Sequence, residues 1–184
     1  SKKFIMNRVT ETLGDLYAMH WPYKQHKTSR DQKLLPYHDE LKKVGACFGQ
    51  SGEYERPMWF ALDDTKPEYE YSFNFQNWYP SVEHESKNTI ENVGLFELSP
   101  FSKYEIKGDK AHEELQRLCT ANIKNEIGKC IYTHMLNEGG GIETDLTVVC
   151  LEKNHFRIIS SAATRERDKF HLKKHLSEEI KLKD

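Results

Sequence analysis

The sequence predicts an α+β fold, and three features lead to it. Met6, Val9, Leu13, Leu16 and Tyr17 recur at helical spacing near the start. Beyond Val93 most apolar residues recur at every second position, the period of strands. NEGGGIETDLTVV, Asn137 to Val149, places three glycines where two such strands need a tight antiparallel turn.

Taken in order, residues 4–18 read as a helix with that apolar stripe turned inward. Met19 to Lys33 holds Pro22 and mixed charge, which predicts an extended connection. Pro36 suits the first position of a short helix with Leu41 and Val44 as its inner side, stopped by Gly45. Gly45 to Ala61 sets glycines beside aromatics and reads as a packed loop, followed by a polar turn over Asp63 to Glu70. Tyr71 to Tyr79 alternates Tyr71, Phe73 and Phe75 with polar residues, the pattern of a strand. Ser81 is the expected cap of a helix running to Asn92, with Val82, Thr89, Ile90 and Val93 inside and Gly94 at its end.

The second half predicts short strands at Leu95–Leu98 and Phe101–Lys107, the latter burying Tyr104 and Ile106. A helix beginning at Gly108-Asp109 carries Ala111, Leu115, Leu118 and Cys119. Cys130–Leu136 and Ile142–Leu151 form a hairpin, and Phe156–Ser160 is a further strand. Thr164 caps a last helix, charged except at Phe170, Leu172 and Leu176, which runs out in the charged stretch His175–Asp184. So small an apolar face would leave the last strands poorly covered, and the chain is expected to be a truncated piece.

Composition excludes several classes. The chain has 184 residues, 27 basic and 29 acidic, with a net charge of -2, so it offers no basic field for nucleic acid. No apolar run approaches the roughly 20 residues of a membrane span, and SKKFIMNRV lacks the apolar core of a signal peptide. The start also lacks an initiator Met, as in a fragment or a trimmed chain. Cys47, Cys119, Cys130 and Cys150 show no C-x-x-C spacing and read as thiols in a reducing compartment. No nucleotide-binding glycine motif and no G-x-S-x-G is present. His171 and His175 stand one helical turn apart, a metal-binding spacing, but no third ligand motif joins them. They read as surface residues, and no metal is expected. His20, His26 and His38 read as structural or surface residues, and the aromatics between Tyr54 and Tyr79 as core.

Asp145 is the informative residue. In Ile142–Leu151, strand alternation groups Ile142, Thr144, Leu146, Val148 and Cys150 on one face. Glu143, Asp145, Thr147 and Val149 take the other. Asp145 is then either a carboxylate on the wet side of a hairpin or a working group in a polar cavity, and the residues alone leave both open.

Three segments together resemble the glycine-cleavage T-protein family, the folate-dependent aminomethyltransferases. They are VGLFELSPFSKYEIKG from Val93, YTHMLNEGGGIETDLTVV from Tyr132 and FRIISSAATRERD from Phe156, in the family's order. LGDLYAMHWP, LPYHDELKKVGACFGQ, YERPMWFA and FQNWY upstream resemble the junction in dimethylglycine and sarcosine dehydrogenases and oxidases, where an FAD-binding oxidase half is fused to a T-protein-like half.

The resemblance implies that residues 1–50 are the tail and connection of the oxidase half. Residues 51–184 would be the first part of a folate-binding domain. It implies a tetrahydrofolate-binding one-carbon transfer module, inactive alone, with FAD held only in an upstream half before Ser1. In such an enzyme an iminium made from a methylated glycine is captured as 5,10-methylenetetrahydrofolate. Whether this chain is itself an enzyme stays open.

By resemblance Asp145 is the catalytic carboxylate. Phe101, Tyr132, Asp145, Arg157, Ile159 and Ser161 would line the folate cavity. Ser161 stands where aminomethyltransferases often carry Asn, and Thr144 where simpler members carry an acid, departures that fit the dehydrogenase-fused branch. The implied partners are folate and a one-carbon unit derived from a methylated glycine, with no nucleic acid and no membrane. Copies could associate through surfaces exposed by truncation. The implied compartment is the cytoplasm, or the mitochondrial matrix in a eukaryote. Two alternatives stand beside this reading. One is a non-catalytic regulatory protein of the same fold, like the regulatory subunit of pyruvate dehydrogenase phosphatase. The other is an inactive structural fragment.

Overall fold

The computed structural model describes residues 1–51 and 54–184. The chain divides into two compact units, Ser1–Ser99 and Pro100–Asp184.

The first unit opens with α1 (Lys2–Asp15), whose N-terminus is capped by the Ser1 hydroxyl accepting from Phe4 N at 3.2 Å. Its polar side holds it to the unit. The Arg8 guanidinium donates to Thr28 O at 2.9 Å and Gln50 Oε1 at 2.7 Å, and the Glu11 carboxylate accepts from the Lys27 and Thr28 amides. The apolar stripe therefore faces outward, contrary to the sequence expectation: Met6, Val9, Leu13, Leu16 and Tyr17 are all exposed. Hydrogen bonds from Arg8 and Glu11 to a loop orient this helix, and its hydrophobic face does not.

α2 (His38–Lys43) buries His38, with Leu35 just before it, while Val44 is exposed rather than inside. The loop predicted for Gly45–Ala61 is a hairpin, β1 (Ala46–Ser51) paired with β2 (Tyr54–Phe60). Gly52 and Glu53, which join them, lie outside the described residues. Pro57 obscured the strand pattern, and it is tolerated because the register shifts between Cys47 and Phe48. Gly49 is closely packed: a Cβ there would lie 2.8 Å from Met58 Cγ, so a larger residue would displace the Met58 or Gln25 side chain.

The hairpin is tied to the Met19–Lys33 connection by an ion pair. Glu55 is fully buried, and Arg30 Nε donates to its two oxygens at 2.9 and 3.1 Å. Arg30 Nη2 adds a bond to Oε2 at 2.5 Å, and Asp31 N donates to Oε1 at 3.0 Å. Burial by itself would raise the Glu55 carboxyl pKa, but the bonds from Arg30 and Asp31 outweigh it and leave it lowered.

The strand predicted for Tyr71–Tyr79 is absent. Its aromatics stack instead, Tyr71 on Tyr69 and Trp21, Phe73 on Trp21, and Phe75 on Tyr79. α3 (Tyr79–Glu91) follows, with Pro80 in its first turn and Trp78, not Ser81, at the cap position. Ser81 is buried, whereas Thr89, Ile90 and Val93 are exposed. Glu85 fixes the helix by accepting from Phe60 N at 2.8 Å. Leu95–Leu98 is irregular and not a strand, with Leu95, Phe96 and Leu98 exposed.

The second unit is a five-stranded antiparallel sheet. Its elements are β3 (Ser102–Lys107), α4 (Ala111–Leu118), β4 (Cys130–Leu136), β5 (Ile142–Glu152), β6 (His155–Ser160), α5 (Arg165–His175) and β7 (Lys181–Lys183). The strands are ordered β4-β5-β6-β3-β7. Each long strand buries alternate residues, as period-two patterning requires. Tyr104, Ile106, Met135, Leu146, Val148, Phe156 and Ile158 meet Ala111 and Leu115 of α4 and Leu172 of α5 in one core. Tyr104 Oη donates to the Arg165 carbonyl at 2.6 Å and so ties β3 to the start of α5.

Thr164 precedes α5 as expected, but its hydroxyl bonds the Asp168 carboxylate at 2.6 Å and caps no amide. Phe170 is exposed, so Leu172 carries the inner face of α5. The charged helix end predicted for His175–Asp184 is a turn and β7, which pairs with β3 through Ile106 and Leu182. Ile180 is buried just before it, so a strand edge and two alternating apolar residues decide that segment.

Candidate functional site

Within the second unit, the sheet face opposite the core carries the side chains of interest. The β4–β5 hairpin sets their register. The Asn137 side-chain oxygen accepts from Gly139 N at 3.0 Å and Gly141 N at 2.9 Å, and Gly140 takes a φ of +80° that favours glycine. Pairing then aligns Thr133 with Leu146, His134 with Asp145 and Tyr132 with Thr147. Leu146 and Thr133 point into the core, so Asp145, His134 and Tyr132 all project from the open face.

The wet-face alternative for Asp145 holds as geometry: the residue is exposed. It is nevertheless partnered. Tyr132 Oη donates to Asp145 Oδ2 at 3.3 Å, and the His134 ring stands edge-on to the Tyr132 ring with centroids 5.3 Å apart. The Tyr132 phenol is held above its usual pKa, first by partial desolvation and then by the Asp145 charge. Tyr132 therefore keeps its proton as a donor at neutral pH.

The register arranges the other predicted residues in rows. Tyr132, Thr147, Ile159 and Lys103 form one row across four strands, so Tyr132 and Ile159 share a strip beside Asp145. Ser161 and Phe101 each lie one step beyond the last paired residues of their strands, Ser160 and Ser102. Extending the alternation puts both on the open side, in the row of Asp145. The Ser161 hydroxyl is engaged locally, accepting from Ala163 N at 3.3 Å.

Arg157 is not brought to Asp145. It aligns with Val149, four residues along β5, a distance of about 14 Å at the rise of a strand. It donates instead to Glu105 Oε1 at 2.5 Å. That bond, with smaller help from His155, lowers the Glu105 carboxyl.

His134 joins this face without having been among the residues singled out from the sequence. Its signal was available: two residues after Tyr132 on one strand, it must share Tyr132's face. The site thus combines a carboxylate, a protonated phenol and an imidazole on a solvent-accessible strip with an apolar side at Ile159. Such a strip can accept N–H hydrogen bonds, stabilise a nearby positive charge and exchange a proton.

Among the described residues, one group of side chains is close enough to share a metal ion: Glu11, Asp15 and His26. Its carboxylates are already engaged, Glu11 by the Lys27 and Thr28 amides and Asp15 by Lys24 Nζ at 2.7 Å. His171 and His175 touch, with ring centroids 4.5 Å apart, and both are half-buried rather than on the open surface.

Comparison with known proteins divides the chain earlier than its two compact units do. The sequence profile of the GCVT N-terminal domain matches residues 37–184, and that of the FAD dependent oxidoreductase central domain matches residues 1–34. The chain is 39% identical over 95% of its length to 4-methylaminobutanoate oxidase (formaldehyde-forming) of Paenarthrobacter nicotinovorans, covering 21% of that protein. It is 33% identical, over 88% of its length, to mitochondrial dimethylglycine dehydrogenase of Rattus norvegicus, covering 19% of it. It is also 33% identical, over 87% of its length, to the mitochondrial pyruvate dehydrogenase phosphatase regulatory subunit of Mus musculus, again covering 19%. The chain thus spans about a fifth of these relatives. In structure it resembles aminomethyltransferase T of the glycine cleavage system from Bartonella henselae, with a TM-score of 0.67 and 26% identity, over 82% of this chain and 37% of that one.

Proposed function

Because the chain belongs to the family of the GCVT N-terminal domain, we propose that its open sheet face is one wall of a tetrahydrofolate site. The chain would then be the one-carbon transfer module of a dimethylglycine- or sarcosine-dehydrogenase-like enzyme. One observation carries this reading: Asp145 is exposed on the strand face and accepts the hydrogen bond of Tyr132.

The residues present fit that cofactor. The Asp145 carboxylate can accept N–H bonds, and the row of Tyr132, Thr147 and Ile159 offers a strip against which a planar ring can lie. Phe101 and Ser161 would flank it, and Arg157 would serve at the periphery through Glu105. When bound, a reduced folate supplies the amine that takes up a one-carbon unit from a methylated-glycine-derived partner. The Asp145 carboxylate would then stabilise developing positive charge beside it and accept a proton at its free oxygen. Tyr132 orients that carboxylate by donating to Oδ2. Residues 1–34 match only the central oxidoreductase domain, so we assign FAD chemistry to another part of the parent enzyme.

The test is calorimetric titration of this chain with 5-formyltetrahydrofolate. Saturable binding that weakens at least tenfold in Asp145→Ala, with the melting temperature retained, supports the reading. Binding indifferent to that substitution removes Asp145 from the site. A second reading, a non-catalytic regulatory protein, is favoured by the engagement of Ser161 with Ala163 and of Arg157 with Glu105. It gains if neither protein binds the ligand.

A further inference from the structure

The second unit has another concavity, of about 940 Å³, where α5 faces the end of α4 and the turn of the β4–β5 hairpin. Arg167, Phe170, His171 and Lys174 line it from α5. Their spacing of three, four and seven residues places them along one face of the helix. Asp168 and Leu172 lie on the buried face.

Lysines at a helix C-terminus are ordinarily explained by the helix dipole and solvent. Three observations exceed that explanation here. First, the cations line a concavity and not a convex surface, and they come from two elements. Arg117, at the end of α4, is held by donating to the His175 carbonyl at 2.5 Å and to Glu114 at 3.0 Å. Arg167 is likewise held by donating to the Glu143 carbonyl. Each guanidinium keeps further N–H groups for a ligand.

Second, His171 and His175 stand with ring centroids 4.5 Å apart, and neither imidazole has a hydrogen-bond partner among the described residues. Two adjacent imidazoles without an acceptor are the arrangement a doubly charged oxyanion completes. Third, Phe170 is 68% exposed at the same concavity, and Leu136 adds to the apolar lining. The volume exceeds what a bare phosphate fills and lies within the range of small-molecule sites, roughly 300–1,000 Å³.

We propose that this groove binds a small organic phosphate, its doubly charged phosphate held by Lys174, Arg167 and the two histidines and its apolar body on Phe170.

Binding is coupled to protons. Burial and then His175 lower the His171 pKa, with Lys174 acting in the same direction, while Glu143 and Asp168 pull it up. Glu138 also lines the groove, and Arg117 faces it from α4. A dianion beside His171 favours its charged form, so the complex takes up a proton at His171 on forming near neutral pH.

The test is calorimetry of this chain with phenyl phosphate, inorganic phosphate and benzoate at about pH 7, where histidine titrates, in two buffers of different ionisation enthalpy. Phenyl phosphate is expected to saturate and to bind several-fold tighter than inorganic phosphate, with benzoate weaker than both and with net proton uptake. Lys174 is exposed, so Lys174→Glu leaves the fold intact and should weaken binding at least tenfold. His171→Gln should abolish proton uptake. Asp145→Ala should change neither, which separates this site from the folate face. No saturation at millimolar ligand, or binding unchanged in Lys174→Glu, overturns the proposal. So does equal affinity for phosphate and phenyl phosphate, which would leave Phe170 without a role.

Discussion

Tyr132 and Asp145 lie on neighbouring strands, diagonal to each other across the β4–β5 ladder, and the phenol donates to the carboxylate at 3.3 Å. The bond spans an exposed face, so it contributes little to stability and its value lies in fixing the direction of the carboxylate.

Tyr132→Phe should therefore leave the melting temperature within a degree or so while weakening 5-formyltetrahydrofolate binding. The loss of one hydrogen bond of about 0.5–1.5 kcal/mol corresponds to roughly a two- to tenfold change. Calorimetry alongside thermal denaturation reads both; a large drop in stability with unchanged affinity would give the bond a structural role instead.

His134 stands directly opposite Asp145. His134→Glu would set two carboxylates across from each other, a like-charge pair costing about 0.2–1 kcal/mol. The loss of stability should appear at neutral pH and vanish on acidification, once the carboxylates are protonated. Urea melts at two pH values check this, and a pH-independent deficit would rule out repulsion as its cause.

Acid should loosen the first unit through two depressed carboxyls. Glu11 is lowered to about 2: burial acts to raise it, and the Lys27 amide, the Thr28 hydroxyl and amide and nearby His26 prevail. Glu55 is lowered by Arg30 and Asp31 against its burial. A carboxyl whose folded pKa lies below its unfolded value, about 4.3 for Glu, contributes stability that is full above the unfolded value. That contribution is lost as pH falls through the folded pKa, for Glu11 between about 4.3 and about 2. Glu11→Gln should flatten the acid limb of a stability curve. Arg30→Ala, which strands a buried charge, should cost about 3–5 kcal/mol at neutral pH.

Thiol labelling should find one reactive cysteine in the folded chain. Cys130 is exposed, while Cys47, Cys119 and Cys150 are buried. Burial pushes the Cys47 thiol up to about 11 and the Cys119 thiol up to about 12, so neither offers thiolate at neutral pH. Aromatic disulfide reagent should release one equivalent before denaturation, and prompt release of more would contradict the burial.

The second unit was legible in the sequence to a degree the first was not. Tyr104 and Ile106, the glycines after Asn137 and the alternation from Ile142 to Cys150 are local signals. They specified strands, a turn and the side of β5 on which Asp145 stands. The resemblance to the aminomethyltransferases rested on those same segments. In the first unit the stripe from Met6 to Tyr17 specified a helix but not its orientation, because Arg8 and Glu11 bind backbone groups of Thr28 and Lys27, 20 and 16 residues away. Pro57 hid a strand that only pairing with Phe48 reveals, and Tyr71 to Phe75 alternated without a strand edge to join.

The same limit applied to the site. Strand period put Tyr132, His134 and Asp145 on one face in principle. Only the register of β4 against β5 set the imidazole opposite the carboxylate and the phenol within bonding distance of it. Arg157 was drawn to Glu105 by a partner 52 residues away. Periodicity is a property of a short stretch of chain and survives in the sequence. Burial, register and ion pairing depend on which distant groups arrive beside it, and that was decided by the tertiary structure.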